Sequence, residues 1–168
     1  MGYTTEFSGQ FDCTPTLQPK HADYLTQFAK TRRMKRDAEK ASLLLDPIRE
    51  AVELPIGKEG CNFVGGDGYA GQDHDDSILE YNQEPKGQPG LWCQWVPNKD
   101  GTAIEWDGNE KFYFYIEWIE YLVENYLAPW GYVLNGEVIW TGEEPSDIGK
   151  INIIDNKIEI LHGEIVYK

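Results

Sequence analysis

Apolar positions along this chain change their spacing several times, and each change marks an element. Tyr3, Thr5, Phe7, Gly9 and Phe11 alternate loosely, the period of a strand. Pro15 and Pro19 interrupt that run. Pro19 suits a first helical position, and Tyr24, Leu25 and Phe28 form a narrow apolar stripe after it. Asp46-Pro47 has the form of an N-cap followed by Pro at N1, for a short helix through Ile48 and Val52. Residues 61–65, CNFVG, form a candidate short strand. From Gly65 to Gly90 the chain is rich in Gly, Pro, Asp and Asn, and it reads as a long loop with one helical turn at Ser77–Tyr81. Loops of that length inside compact domains are uncommon and often functional. LWCQWV (91–96) and TAIEW (102–106) flank Pro97-Asn98-Lys99-Asp100-Gly101, which predicts a hairpin.

The strongest helical signal spans 110–128. Asp107 with Glu110 resembles a capping box, and Phe112, Tyr115, Ile116, Ile119, Leu122, Val123, Tyr126 and Leu127 recur at helical spacing. Glu117, Glu120 and Glu124 mark the wet side, so Ile116, Ile119 and Val123 are expected to be buried on a sheet. Pro129 and Gly131 stop the helix. The tail reads as strands: YVL, a turn at Asn135-Gly136, EVIW, then GKINII and KIEIL about Asp155-Asn156. The order predicts an α+β fold, a mainly antiparallel sheet with helices packed on one face, as a single domain over 1–168.

Composition narrows the class. The chain has 168 residues, 40% of them hydrophobic, with 6 Trp, 10 Tyr and 6 Phe, an aromatic content that excludes a disordered chain. No apolar run approaches the roughly 20 residues that span a bilayer. MGYTTEFSGQFD lacks the basic start and apolar run of a secretory signal. Cys13, Cys61 and Cys93 are odd in number and widely spaced, which predicts free thiols and a cytoplasmic location.

Net charge is −14, from 15 basic and 29 acidic residues, the wrong sign for a protein that neutralises nucleic-acid phosphates, so direct DNA binding is not expected. Residues 30–36, KTRRMKR, nevertheless hold Lys30, Arg32, Arg33, Lys35 and Arg36 with no acid among them. The remainder carries 10 basic against 29 acidic residues, a net −19. Screening beyond about 8 Å lets a local cationic patch hold an anion on an acidic protein. The patch reads either as the solvated end of a helix, where the macrodipole favours cations, or as an anion site.

Other candidate chemistry is partial. Gly66-Asp67-Gly68-Tyr69-Ala70-Gly71 matches G-x-G-x-x-G, but Asp73, Asp75 and Asp76 follow where a pyrophosphate would need a helix N-terminus. Asp73-His74-Asp75-Asp76 is the densest set of potential metal ligands, yet it lacks the alternate spacing of a calcium loop; the plain alternative is a polar loop with one helix cap. Trp92 and Trp95, an odd number of residues apart, would point to opposite faces of a strand. One of them is then a candidate stacking platform, although core packing is the commoner use. Cys93 lies between Trp92 and Gln94 as a strand residue would. His21, His74 and His162 are too scattered to form a catalytic pair with it, so neither catalytic residues nor a cofactor is expected.

Several stretches occur together: GYTTEF at 2–7, TRRMKRD at 31–37, GQDHDDSI at 71–78, GQPGLWCQW at 87–95, TAIEWDGNEKFYFYIEWIEYL at 102–122 and PWGYVLNGEVIWTGE at 129–143, with a DIGKINIIDNKIEI tail. Over nearly the whole chain they resemble a family of small uncharacterised proteins of bacteriophages, prophages and bacteria. The resemblance implies a host bacterial cytoplasm as the setting and transfers no activity or site. In that setting the expected role is a non-enzymatic counter-defence protein that sequesters a phosphate-bearing small molecule, a cyclic or ADP-ribose-derived nucleotide signal. Arg32 or Arg33, with Lys35 and Arg36 in the same cluster, would grip phosphate, the Gly65–Asp76 loop with Asp73 and His74 would close over it, and a Trp (Trp92 or Trp95) or a Tyr would stack on a base. The alternatives are an acidic inhibitor that binds a host protein and, third, a metal-dependent hydrolase working through Asp73–Asp76.

Overall fold

A computed structural model describes residues 2–66 and 70–168. In chain order the elements are β1 (Glu6–Thr14), α1 (Pro19–Lys30), β2 (Lys35–Arg36), α2 (Ala38–Ala41), α3 (Pro47–Ala51), a 3-10 turn at Lys58–Gly60, β3 (Ile78–Glu80), β4 (Trp95–Pro97), β5 (Ala103–Trp106), α4 (Tyr115–Leu122) running into a π turn at Val123–Leu127, β6 (Val133–Thr141), β7 (Ile148–Ile154) and β8 (Lys157–His162). The fold is α+β with a mostly antiparallel sheet, and the chain divides into two compact units, residues 1–17 with 94–168, and residues 18–93.

The first unit holds a six-stranded antiparallel sheet in the order β4-β5-β1-β6-β7-β8. One face carries Phe7, Phe11, Trp95, Ile104, Val138, Trp140, Ile151 and Ile153, set by the strand period of two. Helix α4 packs on this face: Trp95 Nε1 donates to the Tyr115 carbonyl at 2.8 Å, and the Tyr115 ring lies 4.9 Å from Phe7 and 5.7 Å from Trp140. Ile119, Leu122, Val123, Tyr126 and Leu127 are buried, as the apolar stripe predicts; Ile116, expected to be buried, is only half-buried, and Trp118, outside the stripe, is buried with them.

Three boundaries in this unit depart from the sequence reading. The helix begins at Tyr115, not at 110, because Asp107 caps nothing: its carboxylate accepts from the Asn109 N–H at 2.9 Å, and Lys111 and Phe114 take positive φ of 60° and 58°. The strand expected over 91–96 is confined to Trp95–Pro97. Asn135-Gly136 is not a turn but lies inside β6, between β1 and β7. Gly136 uses its φ of 143° for close approach of β1, where a Cβ would sit 2.6 Å from the Gln10 carbonyl oxygen. Asn135 instead braces the true turn, accepting from the Asp155 N–H at 2.8 Å. Asp155 and Asn156 occupy that turn with φ of 49° and 67°, a two-residue type I′ geometry.

The second unit is built on α1, whose buried side is His21, Tyr24, Leu25, Phe28 and Ala29. Pro19 opens it as predicted. Asp46-Pro47 starts α3, although the Asp46 carboxylate faces Arg49 and not a helical N–H. Residues 61–65 form no strand; Phe63 and Val64 are buried in irregular chain, with the Val64 N–H on Asp46 Oδ2 at 3.4 Å. Ser77–Tyr81 is not a helical turn. Ile78–Glu80 is a strand, and β3 pairs antiparallel with β2, Lys35 opposite Glu80 and Arg36 opposite Ile78.

Candidate functional site

The basic cluster after α1 and the long loop are partners in one structure. Once Thr31 ends α1, the chain turns extended, and backbone bonds run from Arg33 to Leu91, Lys35 to Gln83 and Asp37 to Ser77. The side chains of Arg32, Arg33 and Arg36 then meet different parts of the 61–90 stretch. Arg32 Nε donates to the Tyr81 carbonyl at 2.8 Å and Nη2 to Asn82 Oδ1 at 3.0 Å. Arg33 Nη2 donates to the Cys61 carbonyl at 2.7 Å, with Nε on Gln88 Oε1 at 3.4 Å and the guanidinium 4.0 Å above Phe28. Arg36 Nη1 donates to Asp75 Oδ2 at 3.0 Å and to Ser77 Oγ at 2.6 Å, while its guanidinium lies 4.3 Å above the Phe63 ring. Acceptors offset much of the cost of holding these guanidinium groups out of water, although Arg33 Nη1 is buried with no hydrogen-bond partner among the described residues.

A pocket of about 230 Å³ opens beside these contacts. Arg32, Arg36, His74 and Asp75 give it polar groups; Met34, Leu44, Leu45 and Phe63 give it an apolar wall; Gly65 and Gly66 bring backbone close. Arg36 is 3% exposed. All its hydrogen bonds to described residues leave from Nη1, so Nε and Nη2, one edge of the fork, have no hydrogen-bond partner there. Burial draws the guanidinium below its ordinary pKa and Asp75 opposes that; it remains charged. For Asp75 burial acts upward, but bonds from Ser77 and Arg36 outweigh it and hold the carboxyl below its usual range. Ser77 fixes Asp75 Oδ1 twice, through its N–H at 2.8 Å and its hydroxyl at 2.5 Å.

Of the residues singled out from the sequence, Arg32, Arg36, His74 and Asp75 meet at this pocket, with Gly66 of the glycine motif. Arg33 does not line it: the side chain is buried and turned to Cys61 and Gln88, because Phe28 offers its ring on that side. Lys35 is half-buried in β2 and Asp73 is exposed; neither lines the pocket. Trp92 is half-buried and outside the lining. Trp95 is corrected outright as a stacking platform, being 1% exposed in the core of the other unit. The reading of residues 30–36 as a solvated helix end also fails, with Arg33 and Arg36 2% and 3% exposed. Asp67, Gly68 and Tyr69 of the glycine motif lie outside the described residues. Sequence reasoning missed Asp75 as the Arg36 partner and Phe63 as its platform, because both pairings join residues far apart in the chain and no local spacing marks them.

Nucleophile chemistry finds no support in the thiols: burial pushes Cys13 up to about 11 and also raises Cys61. Among the described residues no three His, Cys, Asp or Glu side chains gather as a metal set, and no helix is long and apolar enough to cross a membrane. Compared with protein-family models, curated proteins and solved structures, the chain matches none.

Proposed function

We propose that the Gln18–Cys93 unit binds a small phosphate-bearing molecule of nucleotide type and performs no chemistry on it. One observation carries this reading: Arg36, buried and stacked on Phe63, lines a pocket with its Nε and Nη2 unengaged by the described residues. That edge of a guanidinium is the geometry that accepts two oxygens of a phosphate. Arg32 supplies a second cation, and the wall of Met34, Leu44, Leu45 and Phe63 suits a base or sugar. In a phage-infected bacterium such a pocket would serve to sequester a nucleotide signal.

The test is a thermal-shift screen over cyclic dinucleotides, cyclic trinucleotides and ADP-ribose derivatives. A ligand at a hundred times its dissociation constant stabilises the fold by about 2.7 kcal/mol, a rise of several degrees for a chain of this size. Arg32→Glu should abolish the rise. A flat screen, or a rise that survives Arg32→Glu, favours the acidic protein-binding inhibitor. Leu43 and Leu45, 85% and 84% exposed in that same unit, would then be its contact points.

A further inference from the structure

We propose that Asp75 is the charge-discriminating residue of this pocket, weakening doubly charged phosphate end-groups more than singly charged phosphodiesters. The inference rests on the phosphate-binding reading and adds a specificity to it. Asp75 lines the pocket with Arg36 and also lines an adjoining one with Lys40, Leu43, Leu44, Asp76 and Ser77. Its carboxylate is ion-paired to Arg36 Nη1 at 3.0 Å, on the same guanidinium whose other edge has no hydrogen-bond partner among the described residues. Two bonds from Ser77 hold it there, so it cannot swing away at low cost when an anion arrives. An oxyanion on Nε and Nη2 therefore sits across one guanidinium from a fixed negative charge. Like charges at that separation oppose each other, and the repulsion grows in proportion to the charge on the ligand. A phosphomonoester near pH 8 carries close to two charges, since its second ionisation lies near pH 6, whereas a phosphodiester carries one.

The proportionality makes a quantitative test. Isothermal titration at pH 8 measures the four nucleoside 5′-monophosphates and their 5′-methyl diesters against the full-length protein and its Asp75→Asn variant. Asp75→Asn should tighten both classes, and the monoester gain should be about the square of the diester gain: tenfold for a diester, on the order of a hundredfold for its monoester. Asp75→Ala is a second neutral variant should the asparagine protein not fold, and Asp75→Glu, which keeps the charge, should retain the wild-type ratio. Equal gains for the two classes, or weaker binding of both, would show that Asp75 only holds the loop, and the phosphate site would stand without it. No binding of any probe to any of these proteins overturns the phosphate-binding reading itself.

Discussion

Arg36 is 3% exposed yet fully charged, so its surroundings must replace the water it has lost. Asp75, Ser77 and the Phe63 ring do so, while Arg32 donates to the Tyr81 carbonyl of the same loop and Arg33 to the Cys61 carbonyl before it. Removing the Asp75 charge leaves a buried donor poorly matched and should destabilise the fold by about 1–3 kcal/mol near neutral pH. The carboxyl sits below its ordinary 3.8 in the fold, so its ionised form favours the folded state. That contribution is complete above the unfolded value and disappears as pH falls through the folded one. The stability gap between wild type and Asp75→Asn should therefore hold from pH 7 to 5 and narrow below about 3.8. Urea midpoints of both proteins across that range measure it; a gap that stays constant into acid would mean that the ionised Asp75 contributes nothing to the fold.

Among the elements, α4 and β6 show where a periodic pattern suffices and where it does not. The α4 stripe is a local property, and its burial on the sheet follows from spacing alone. Ile119 is fully buried, so Ile119→Ala should cost roughly 2–5 kcal/mol in chemical denaturation. An unmoved midpoint would place that face in solvent. Asn135-Gly136 reads as a turn from its residue types but is a strand interior, because the positive φ of Gly136 serves the approach of Gln10 on a strand far away in sequence. Gly136→Ala must bring a Cβ to 2.6 Å from that carbonyl oxygen, so it should destabilise by more than the ~1 kcal/mol of a simple propensity change. A neutral Gly136→Ala would indicate that β1 and β6 separate there readily. The helix start failed for a related reason: Asp107 could satisfy either a helical N–H or the Asn109 N–H, and the hairpin before it decided the matter.

At the scale of the molecule, the α+β class and the hairpins about residues 98–102 and Asp155-Asn156 were legible because they depend on short-range patterns. The division into two units was not, since residues 1–17 join 94–168 across the intervening 76-residue segment. The candidate site was half legible. A run of five cations on an acidic chain drew attention to the right stretch, and the long polar loop drew attention to its partner. Which arginines face the pocket depends on the turn after Thr31 and on the aromatic rings beneath each guanidinium, and neither can be read from composition. Trp95 was misassigned because a strand period says that two residues face opposite ways, not which face is covered.

The most direct measurement is an NMR titration with the nucleotide that gives the largest thermal shift. The arginine Nε–H resonances and backbone amides would be followed in the whole chain. The pocket predicts saturable shifts at the Nε–H of Arg32 and Arg36 and at the amides of Gly65, Gly66, His74 and Asp75, with the Arg49 Nε–H, which is bonded to Asp46 at 2.7 Å, unmoved. Shifts confined to residues outside this set, with Arg36 silent at saturation, would contradict it.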